Sequence, residues 1–538
     1  MSAATTRWPW GTDLTTEDVR GIQMPVYAER ARSLVEILDM SLRWGDREFL
    51  VGPEMRLSYR THHAGVEEAA RLLLREGVRA GDRILLLAAN SVEWVVAFWA
   101  ILRAGGVVVL GNGWWSSDEV RHAAALTAPV LAVTDARRAP ALADLVPVRA
   151  VEELGSLIVG STDCPLPPPE TGEDDPAVIL FTSGTSGPPK GAVLSHRSII
   201  ANQHNFLALT HRLPSQIGDD HPALRILLSA PLFHTGGVQA IMSAMLTGTA
   251  VVLLTGRFDP ATVLETIERE RISAWTGVPT AVQRVIEHPD ALKRDLRSVV
   301  SLGMGGAPLP EILIARAAKA FPGVVRGVST NYGMTEAGGI IASASGPEVT
   351  ARPGTSGRVL PAVEVRIDVA HPAAGLVVEG EPGEILVRSA AVMSGYWGSD
   401  ESPVGPDGWL HTGDVGRVDA EGYLFVVDRL KDIIIRAGEN IASAHVEAAL
   451  MEHPAVAAAA VLGLPHFDLG EEVAAVIAVR DGSPTTPEEL RTFLAGRLAH
   501  FEVPSRWWLR SGPFPTTATD KTDKRALRAQ WPDAAATA

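Results

Sequence analysis

Short apolar runs alternate with helical segments over the first three hundred residues of the chain. The runs are rich in β-branched side chains and bounded by Gly or Asp, which predicts doubly buried parallel strands. They cover Ile84–Ala88, Val107–Leu110, Val130–Thr134, Val178–Thr182, Ile226–Ala230, Ala250–Leu254 and Val299–Gly303. Ser91–Arg103 and Pro260–Glu270 have the pattern of crossover helices between such strands. The alternation predicts an α/β fold.

The pattern changes after about residue 355. Gly383–Arg388 and Gly422–Val427 are Gly-bounded alternating stretches, which are typical of antiparallel strands in a small barrel or sheet. From Ile433 onward an α+β pattern follows, ending in a polar tail. Its predicted elements are a helix at Ala444–His453, strands at Ala455–Leu462 and Val473–Val479, and a helix at Pro487–Ala499.

These patterns divide the chain into parts. The Pro-rich, acidic stretch Pro165–Pro176 is typical of an extended connector and predicts a boundary between two parallel-type α/β subdomains. A β-barrel-like subdomain is expected over about 355–428. We therefore expect a large N-terminal domain over 1–428 and a small α+β domain over 433–538, which is near the usual domain size.

Composition and charge exclude several function classes. The chain has 538 residues and a net charge of −15, which would repel a nucleic-acid backbone. The single cysteine, Cys164, excludes an internal disulfide and a multi-cysteine metal site and fits a reducing compartment. The N-terminus lacks a signal-peptide pattern, and Glu93 and Arg103 interrupt the longest apolar stretch. We expect a cytoplasmic protein with no integral membrane segment.

The segment Phe181–Gly191 is the most informative in the chain. Its hydroxyl side chains, glycines and single lysine follow a predicted buried strand, so backbone N–H groups can surround an anion while Lys190 supplies positive charge. A Walker loop cannot be aligned on it, because two prolines stand where that motif begins its helix. A solvated Ser/Gly turn is the alternative, but this composition between apolar strands favours a phosphate-binding loop.

Thr182–Gly191 resembles the AMP-binding signature of the adenylate-forming superfamily, which contains acyl-CoA synthetases, nonribosomal adenylation domains and firefly luciferase. Further matches follow in the family's order at Pro231–Gly237, Gly305–Pro308, Asn331–Glu336, Thr412–Asp414, Asp428–Asp432 and Pro515–Lys524. The first 175 residues carry no signature. The resemblance implies a small C-terminal domain that moves about a hinge at 429–432, with Lys431 as the hinge residue.

The resemblance also implies an ATP/AMP site. Asn331 offers an amide to the purine, Tyr332 an aromatic face, Thr335 a hydroxyl to a phosphate, and Glu336 a carboxylate to Mg²⁺. Without the other motifs, this segment would be typical of an ordinary helix start capped by Thr335. Asp414, expected on an exposed turn, and Arg429 would bind the ribose. The remaining expected members are Thr182, Ser183, Gly184, Thr185, Ser186, Gly187, Lys190, Gly305, Gly306, Ala307, Pro308, Gly333 and Met334.

An acyl pocket is expected near His234. A histidine beside apolar residues is usually a core residue, but two glycines follow this one and leave space for a ligand. The resemblance implies a pocket lined by His234, Thr235, Gly236, Val238, Gly305 and Gly333. Nonribosomal domains that activate amino acids place an Asp just after this aromatic position, where the chain has His234 and Thr235. An apolar carboxylic acid is therefore favoured over an amino acid.

We expect an acid–CoA ligase that uses ATP, Mg²⁺ and coenzyme A. By resemblance, Lys521, Glu336, Thr335 and His234 are the catalytic residues, Glu336 holds the metal, and Gly438 and Glu439 line a CoA tunnel. The alternatives are an amide synthetase or carrier-protein acyl ligase, a luciferase-like oxygenase, and a non-catalytic nucleotide-binding protein. A homodimer is left open.

The chain departs from the family pattern at three positions. The usual residues are Pro and Glu where Ser443 and His445 stand, and Gly where Asp520 precedes Lys521. A carboxylate beside the expected catalytic ammonium would partly neutralise its charge, and a β-carbon would restrict the loop. We therefore expect adenylation to be slow or to need adjustment of this loop.

Overall fold

The computed structural model describes residues 10–157, 165–182, 189–306, 309, 311–369, 382–480, 482–516 and 522–532. Its first large sheet has six strands in the order β10-β9-β6-β5-β7-β8, parallel except for β10. These strands are β5 (Arg83–Leu87), β6 (Val107–Leu110), β7 (Leu131–Thr134), β8 (Val148–Ala150), β9 (Pro176–Thr182) and β10 (Lys190–Ser195). A separate antiparallel hairpin precedes it, made of β1 (Leu14–Val19) and β2 (Ile22–Tyr27).

A second, mixed sheet has thirteen strands in the order β18-β19-β20-β21-β17-β16-β15-β14-β13-β11-β12-β3-β4. Its parallel part is β3 (Glu48–Val51), β11 (Arg225–Leu228), β12 (Ala250–Leu253), β13 (Ala274–Gly277), β14 (Ser301–Gly305) and β15 (Ser329–Met334). Its antiparallel part is β4 (Arg56–Ser58), β16 (Gly339–Ala344), β17 (Gly357–Val359), β18 (Glu364–Asp368), β19 (Gly383–Arg388), β20 (Leu410–Val418) and β21 (Tyr423–Arg429). The expected β-rich subdomain is thus hydrogen-bonded to the parallel strands through β16 and β17.

The C-terminal part has a sheet of its own. The strands are β22 (Ile434–Arg436), β23 (Glu439–Ile441), β24 (Val456–His466), β25 (Gly470–Val479) and β26 (Arg506–Arg510). β25 pairs with β22, β24 and β26. The prediction of a polar tail is wrong in part. Arg506–Arg510 forms β26, which is parallel to β25, and residues 524–529 form a helix.

The fourteen α-helices of the described residues connect and cover these sheets. They are α1 (Leu34–Met40), α2 (Tyr59–Arg75), α3 (Val92–Arg103), α4 (Ser117–Thr127), α5 (Val151–Ser156), α6 (His196–Leu209), α7 (Thr235–Thr247), α8 (Pro260–Glu270), α9 (Pro279–Glu287), α10 (Glu311–Ala320), α11 (Gly346–Ala351), α12 (Ser443–Met451), α13 (Pro487–Leu494) and α14 (Lys524–Ala529). α8 begins where its sequence predicts, since Asp259 caps it and Pro260 occupies the first turn. Within the described ranges no helix has both the length and the apolar character needed to cross a lipid bilayer.

The largest apolar core lies between the two large sheets. Ile84 and Leu86 of β5 pack into it, whereas Leu85 and Leu87 face a second core on the other side of the sheet. Burial on both faces explains why these strands are continuously apolar in sequence. The predicted α/β fold is confirmed, and each predicted parallel strand is present within two residues of its expected bounds.

The connector 165–176 does not separate the two sheets. β9 and β10 follow it in sequence but join the first sheet, where β9 pairs with β6. β3 and β4 precede it but lie at the far edge of the second sheet. The two sheets therefore exchange strands across the predicted subdomain boundary.

Candidate active site

The candidate site lies where parallel strands end. β14 ends at Gly305 and β15 at Met334, and these strands are parallel neighbours, so their carboxyl ends share one edge of the sheet. β11 ends shortly before the segment Pro231–Gly237 at the same edge. In open α/β sheets, ligands bind outside the carboxyl ends of the strands. The sequence motifs thus lie where the fold favours a ligand.

The predicted phosphate-binding loop connects β9 to β10. Thr182 and Lys190 are directly paired in the antiparallel register, so they form the base of the loop. Lys190 Nζ lies 3.1 Å from Glu401 Oε2 and 5.2 Å from the centre of the Tyr396 ring. The expected phosphate ligands Ser183, Gly184, Thr185, Ser186 and Gly187 lie outside the described residues.

Tyr396 joins the base of this loop to the Glu336 carboxylate. Its hydroxyl donates a hydrogen bond of 3.0 Å to Glu336 Oε1. Burial and the nearby Glu336 charge raise the pKa of Tyr396, so this hydroxyl remains a donor at neutral pH. The Val193 amide donates to the Gly395 carbonyl at 3.0 Å, which holds the Tyr396 segment beside β10. Sequence reasoning missed Tyr396, because no local motif marks it.

The strand β15 brings the predicted purine-binding residues to this edge. Asn331 is paired with Gly305 of β14, where an added β-carbon would lie 3.0 Å from the Asn331 carbonyl oxygen. The side-chain Oδ1 of Asn331 is buried and has no hydrogen-bond partner among the described residues. A buried acceptor of this kind fits the exocyclic amine of a purine.

Tyr332, Asp414 and Arg429 form a hydrogen-bonded group next to β15. The Tyr332 hydroxyl donates to Asp414 Oδ2 at 2.7 Å, and Arg429 Nε lies 3.0 Å from Asp414 Oδ1. The prediction that Asp414 stands on an exposed turn is wrong, because it lies in β20, opposite Arg429 of β21, and is only 4% exposed. Burial and the Asp414 charge raise the pKa of Tyr332.

Several expected site residues lie outside the described part of the chain. These are Ala307 and Pro308 of the nucleotide site and Lys521 with its neighbour Asp520. The single cysteine, Cys164, which has no expected role in the site, also lies outside the described residues. Gly306, which is described, has φ of +79°, a left-handed conformation that glycine adopts without strain. The roles assigned to Lys521, Ala307 and Pro308 remain predictions.

The expected acyl pocket begins at the N-terminus of α7. Thr235 Oγ1 donates to Thr335 Oγ1 at 3.2 Å, which brings the pocket segment beside the nucleotide motif. A β-carbon on Gly236 would meet open space, whereas one on Gly237 would lie 2.6 Å from the Pro231 carbonyl oxygen. Only the first glycine therefore leaves room for a ligand. Val238 is 4% exposed and packs in the largest core.

His234 precedes the first turn of α7, next to an aromatic pair. Its ring centre lies 4.5 Å from that of Phe233, and Phe233 meets Trp114 edge to face at 5.4 Å. Sequence reasoning also missed Gln239, one turn further along α7, whose Nε2 donates to Asn202 Oδ1 and to the Gly338 carbonyl. Gln239 therefore ties α7 to the segment that follows Glu336.

Met334 and Gly333 end β15 against the start of β16. A β-carbon on Gly333 would lie 2.1 Å from the Gly339 carbonyl oxygen, so only glycine allows this close approach of the two strands. Met334 is paired with Gly339 in the same register. Thr335 and Glu336 follow in the 3₁₀ turn Thr335–Ala337.

The expected hinge and CoA-tunnel residues surround β22. Lys431 lies in the 3₁₀ turn Leu430–Asp432, directly after Arg429 of β21. Gly438 lies in the turn between β22 and β23, with φ of +88°, and Glu439 begins β23. A β-carbon on Gly438 would meet no atom of the described chain within 4 Å, so this position faces open space.

Comparison with known families matches most of the chain. The AMP-binding enzyme family matches residues 40–397, and the AMP-binding enzyme C-terminal domain matches residues 445–521. A feruloyl-CoA synthase from Amycolatopsis sp is 35% identical over 477 residues, which cover 88% of this chain and 94% of that protein. The mitochondrial medium-chain acyl-CoA ligase ACSF2 of Mus musculus is 31% identical over 543 residues, covering 92% and 87%.

Solved structures share the fold. The amide bond synthetase McbA from Marinactinospora thermotolerans superposes with a TM-score of 0.79 and 32% identity, covering 92% of this chain and 99% of that one. The o-succinylbenzoate CoA synthetase MenE from Bacillus subtilis, in complex with ATP and a magnesium ion, gives a TM-score of 0.77 and 28% identity, covering 92% and 98%. The predicted superfamily and the predicted class, an AMP-forming acid–thiol ligase, are confirmed. The chain belongs to the AMP-binding enzyme family.

Proposed function

We propose that this enzyme is an ATP-dependent ligase that joins an apolar carboxylic acid to coenzyme A. The acid attacks the α-phosphate of ATP, which forms an acyl-adenylate and releases pyrophosphate. The thiol of CoA then attacks the acyl carbon, which forms the thioester and releases AMP. Adenylation is needed because a carboxylate is anionic and has no good leaving group, whereas AMP leaves readily.

The observation that carries this proposal is a pair of polar groups at β15 and the turn that follows it. In one group Tyr332 and Arg429 hold the Asp414 carboxylate, which offers acceptors to ribose hydroxyls. In the other group Tyr396 connects the Lys190 region to Glu336. The two groups are suited to the opposite ends of one nucleotide, with the buried acceptor of Asn331 for its base.

The residues of this chain would lower the barrier by electrostatics. The acid and the triphosphate repel each other, and preorganised cations and N–H donors reduce that cost in a dry site. Lys190 is suited to hold the β- and γ-phosphates, and we assign Lys521 to the bridge between the acid and the α-phosphate. Glu336 and Thr335 offer the hard oxygen ligands that Mg²⁺ prefers. The ion, when bound, would neutralise charge on the phosphates.

An apolar acid fits the start of α7. The open space beside Gly236 and the edge-to-face pair Phe233 and Trp114 supply room and aromatic surface for an apolar or aryl group. The names of the feruloyl-CoA synthase and the medium-chain acyl-CoA ligase support aryl and aliphatic acids respectively. We place the carboxylate end near His234 and Thr335.

An amide synthetase is the second candidate function. It is favoured by the likeness to McbA, which is named an amide bond synthetase. Both functions use the same acyl-adenylate and differ only in the acceptor. The open position of Gly438, which suits close approach of a pantetheine arm, favours CoA as the acceptor.

Two variants at Gly438 test the acceptor. Gly438→Ala and Gly438→Trp share the strain of a side chain at positive φ, but only Trp fills the open space. We expect Gly438→Trp to block CoA-dependent AMP release from the adenylate while acid-dependent pyrophosphate–ATP exchange survives, and Gly438→Ala to retain both. If CoA never accelerates AMP release in the wild-type enzyme but an amine does, the amide synthetase replaces the CoA ligase.

A further inference from the structure

Ser443 forms a bridge between the two parts of the chain. Its Oγ donates a hydrogen bond of 2.9 Å to Asp428 Oδ2 and accepts one of 2.7 Å from Lys524 Nζ. Asp428 belongs to β21 of the large mixed sheet, whereas Ser443 and Lys524 begin α12 and α14 on the C-terminal sheet. The bridge therefore crosses the segment that contains Lys431.

The bridge is buried and charged. Ser443 is fully buried, and Asp428 is 8% exposed. Lys524 Nζ also lies 2.8 Å from Glu447 Oε1, which accepts a hydrogen bond from the Val461 amide as well. One ammonium thus faces two carboxylates in a site with little water, where hydrogen bonds to charged groups are strong.

The cation of this cluster, Lys524, keeps its charge at neutral pH. Burial opposes the charged form of Lys524, but Glu447, Asp428 and Asp432 outweigh burial and raise its pKa. Burial raises the pKa of Asp428 and of Glu447, and the charge of Lys524 opposes that rise. The Lys524 side chain therefore remains a charged ammonium within the cluster.

The hydroxyl of Ser443 suits its two charged neighbours. Lys524 can only donate and an ionised Asp428 can only accept, so a group between them must do both. Without the hydroxyl, the hydrogen bonds that the described residues give Asp428 Oδ2 would be reduced to the longer contact of 3.3 Å from the Ala444 amide. A loss of this kind leaves a buried carboxylate underbonded.

We propose that Ser443 is a positioning residue for adenylation, because it fastens Lys524, and with it the chain three residues after Lys521, to the end of β21. Asp428 is the direct neighbour of Arg429, which pairs with Asp414 in the candidate ribose site. Ser443 thus links Lys524, three positions after Lys521 in the sequence, to the strand that ends at Arg429, and its full burial keeps it from contact with a substrate. The inference rests on the proposed function, since it gives Lys521 its role in the first half-reaction.

Half-reaction kinetics on the full-length enzyme test this role. We compare Ser443→Ala with Ser505→Ala, whose hydroxyl donates to Glu472 Oε2 at 2.8 Å within the C-terminal part. Ser443→Ala should lower acid-dependent pyrophosphate–ATP exchange about tenfold to a hundredfold, as expected for a hydrogen bond to a charged group. It should leave CoA-dependent AMP release from supplied acyl-adenylate close to wild type, and Ser505→Ala should leave the ratio of the two rates unchanged.

A double-mutant cycle distinguishes the proposed positioning role of Ser443 from a general loss of structure. If Ser443 and Lys524 act as one unit, Ser443→Ala in a Lys524→Met background should cause little further loss of exchange. Equal losses in both half-reactions, or fully additive effects in the cycle, would overturn the proposal. If the wild-type enzyme shows no exchange with any acid, the proposed function fails and not this inference alone.

Discussion

Tyr396 is a site residue that no sequence motif identifies, so a substitution there tests the geometry of the site. Tyr396→Phe keeps the ring beside Lys190 but removes the hydroxyl that donates to Glu336. Because Glu336 would then lose an orienting hydrogen bond, we expect adenylation to fall about tenfold, measured as pyrophosphate–ATP exchange.

Tyr423 supplies a matched control for this prediction. Its hydroxyl donates to Glu348 Oε1 at 2.9 Å, the same kind of bond at a different place in the fold. Tyr423→Phe should leave the exchange rate near that of the wild-type enzyme. A similar fall in both variants would assign the effect to general destabilisation.

The role of a residue can be predicted from local sequence only where its neighbours in the chain form a motif that defines that role. Asn331, Tyr332 and Glu336 lie in one motif and come together on β15 and the turn after it. Tyr396 is 60 residues from Glu336 in sequence, so its contact depends on the folded chain alone. Asp414 was expected on an exposed turn, but pairing of β20 with β21 buries it.

At the scale of elements, two glycines with different surroundings give a paired prediction. Gly333→Ala would drive a β-carbon to 2.1 Å from the Gly339 carbonyl, a clash between the backbones of β15 and β16. We expect it to cost about 1–3 kcal/mol of stability, as overpacking typically does, and to lower the thermal midpoint. Gly236→Ala meets open space in the first turn of α7, so the midpoint should not fall.

The same pair distinguishes folding from substrate recognition. If Gly236 borders the acyl pocket, Gly236→Ala should change the KM for the acid while the KM for ATP remains near wild type. Steady-state kinetics with one aryl and one medium-chain acid provide the measurement. A loss of stability in Gly236→Ala as large as that in Gly333→Ala would contradict the account of this element.

Elements buried on both faces were the easiest to predict. The apolar runs of β5 to β7 identify them without further information, because burial on two faces leaves no place for polar residues. β26 was missed because its sequence, Arg506–Arg510, has arginines at both ends and two tryptophans between them. Its pairing with β25 supplies the order that its own pattern does not indicate.

At the scale of the molecule, the order of strands could not be predicted. β3 pairs with β12 near the edge of the second sheet, although about 200 residues separate the two strands in sequence. No local pattern records such a pairing, since it depends on which edge is free when the domain assembles. The separate C-terminal sheet, by contrast, was expected from the α+β pattern that begins at Ile433.

The buried histidines determine how the stability of the fold should change at acidic pH. Burial lowers the pKa of His62 to about 3, and of His196 and His204 to about 4. The unfolded chain binds protons at these sites below pH 6.5, while the folded chain does not, so stability is full above pH 6.5 and falls as the pH drops toward 4. One such group contributes a slope of about 1.4 kcal/mol per pH unit.

His62→Leu should reduce this acid sensitivity. His62 is fully buried and meets Phe49 edge to face at 4.9 Å, so an apolar side chain suits its surroundings. The fall in thermal midpoint between pH 7 and pH 5 should be smaller in His62→Leu than in the wild-type enzyme. His445→Gln, at a side chain that is 58% exposed, should not change it. An equal fall in all three proteins would refute this reading.

The most direct test of the proposed CoA ligase activity is to identify the products made from one acid, ATP, Mg²⁺ and CoA. We expect acyl-CoA and AMP in equal amounts, with pyrophosphate release that requires the acid, for an aryl or medium-chain acid. Formation of ADP in place of AMP, or of acyl-adenylate that yields an amide with an amine but never a thioester with CoA, would contradict it.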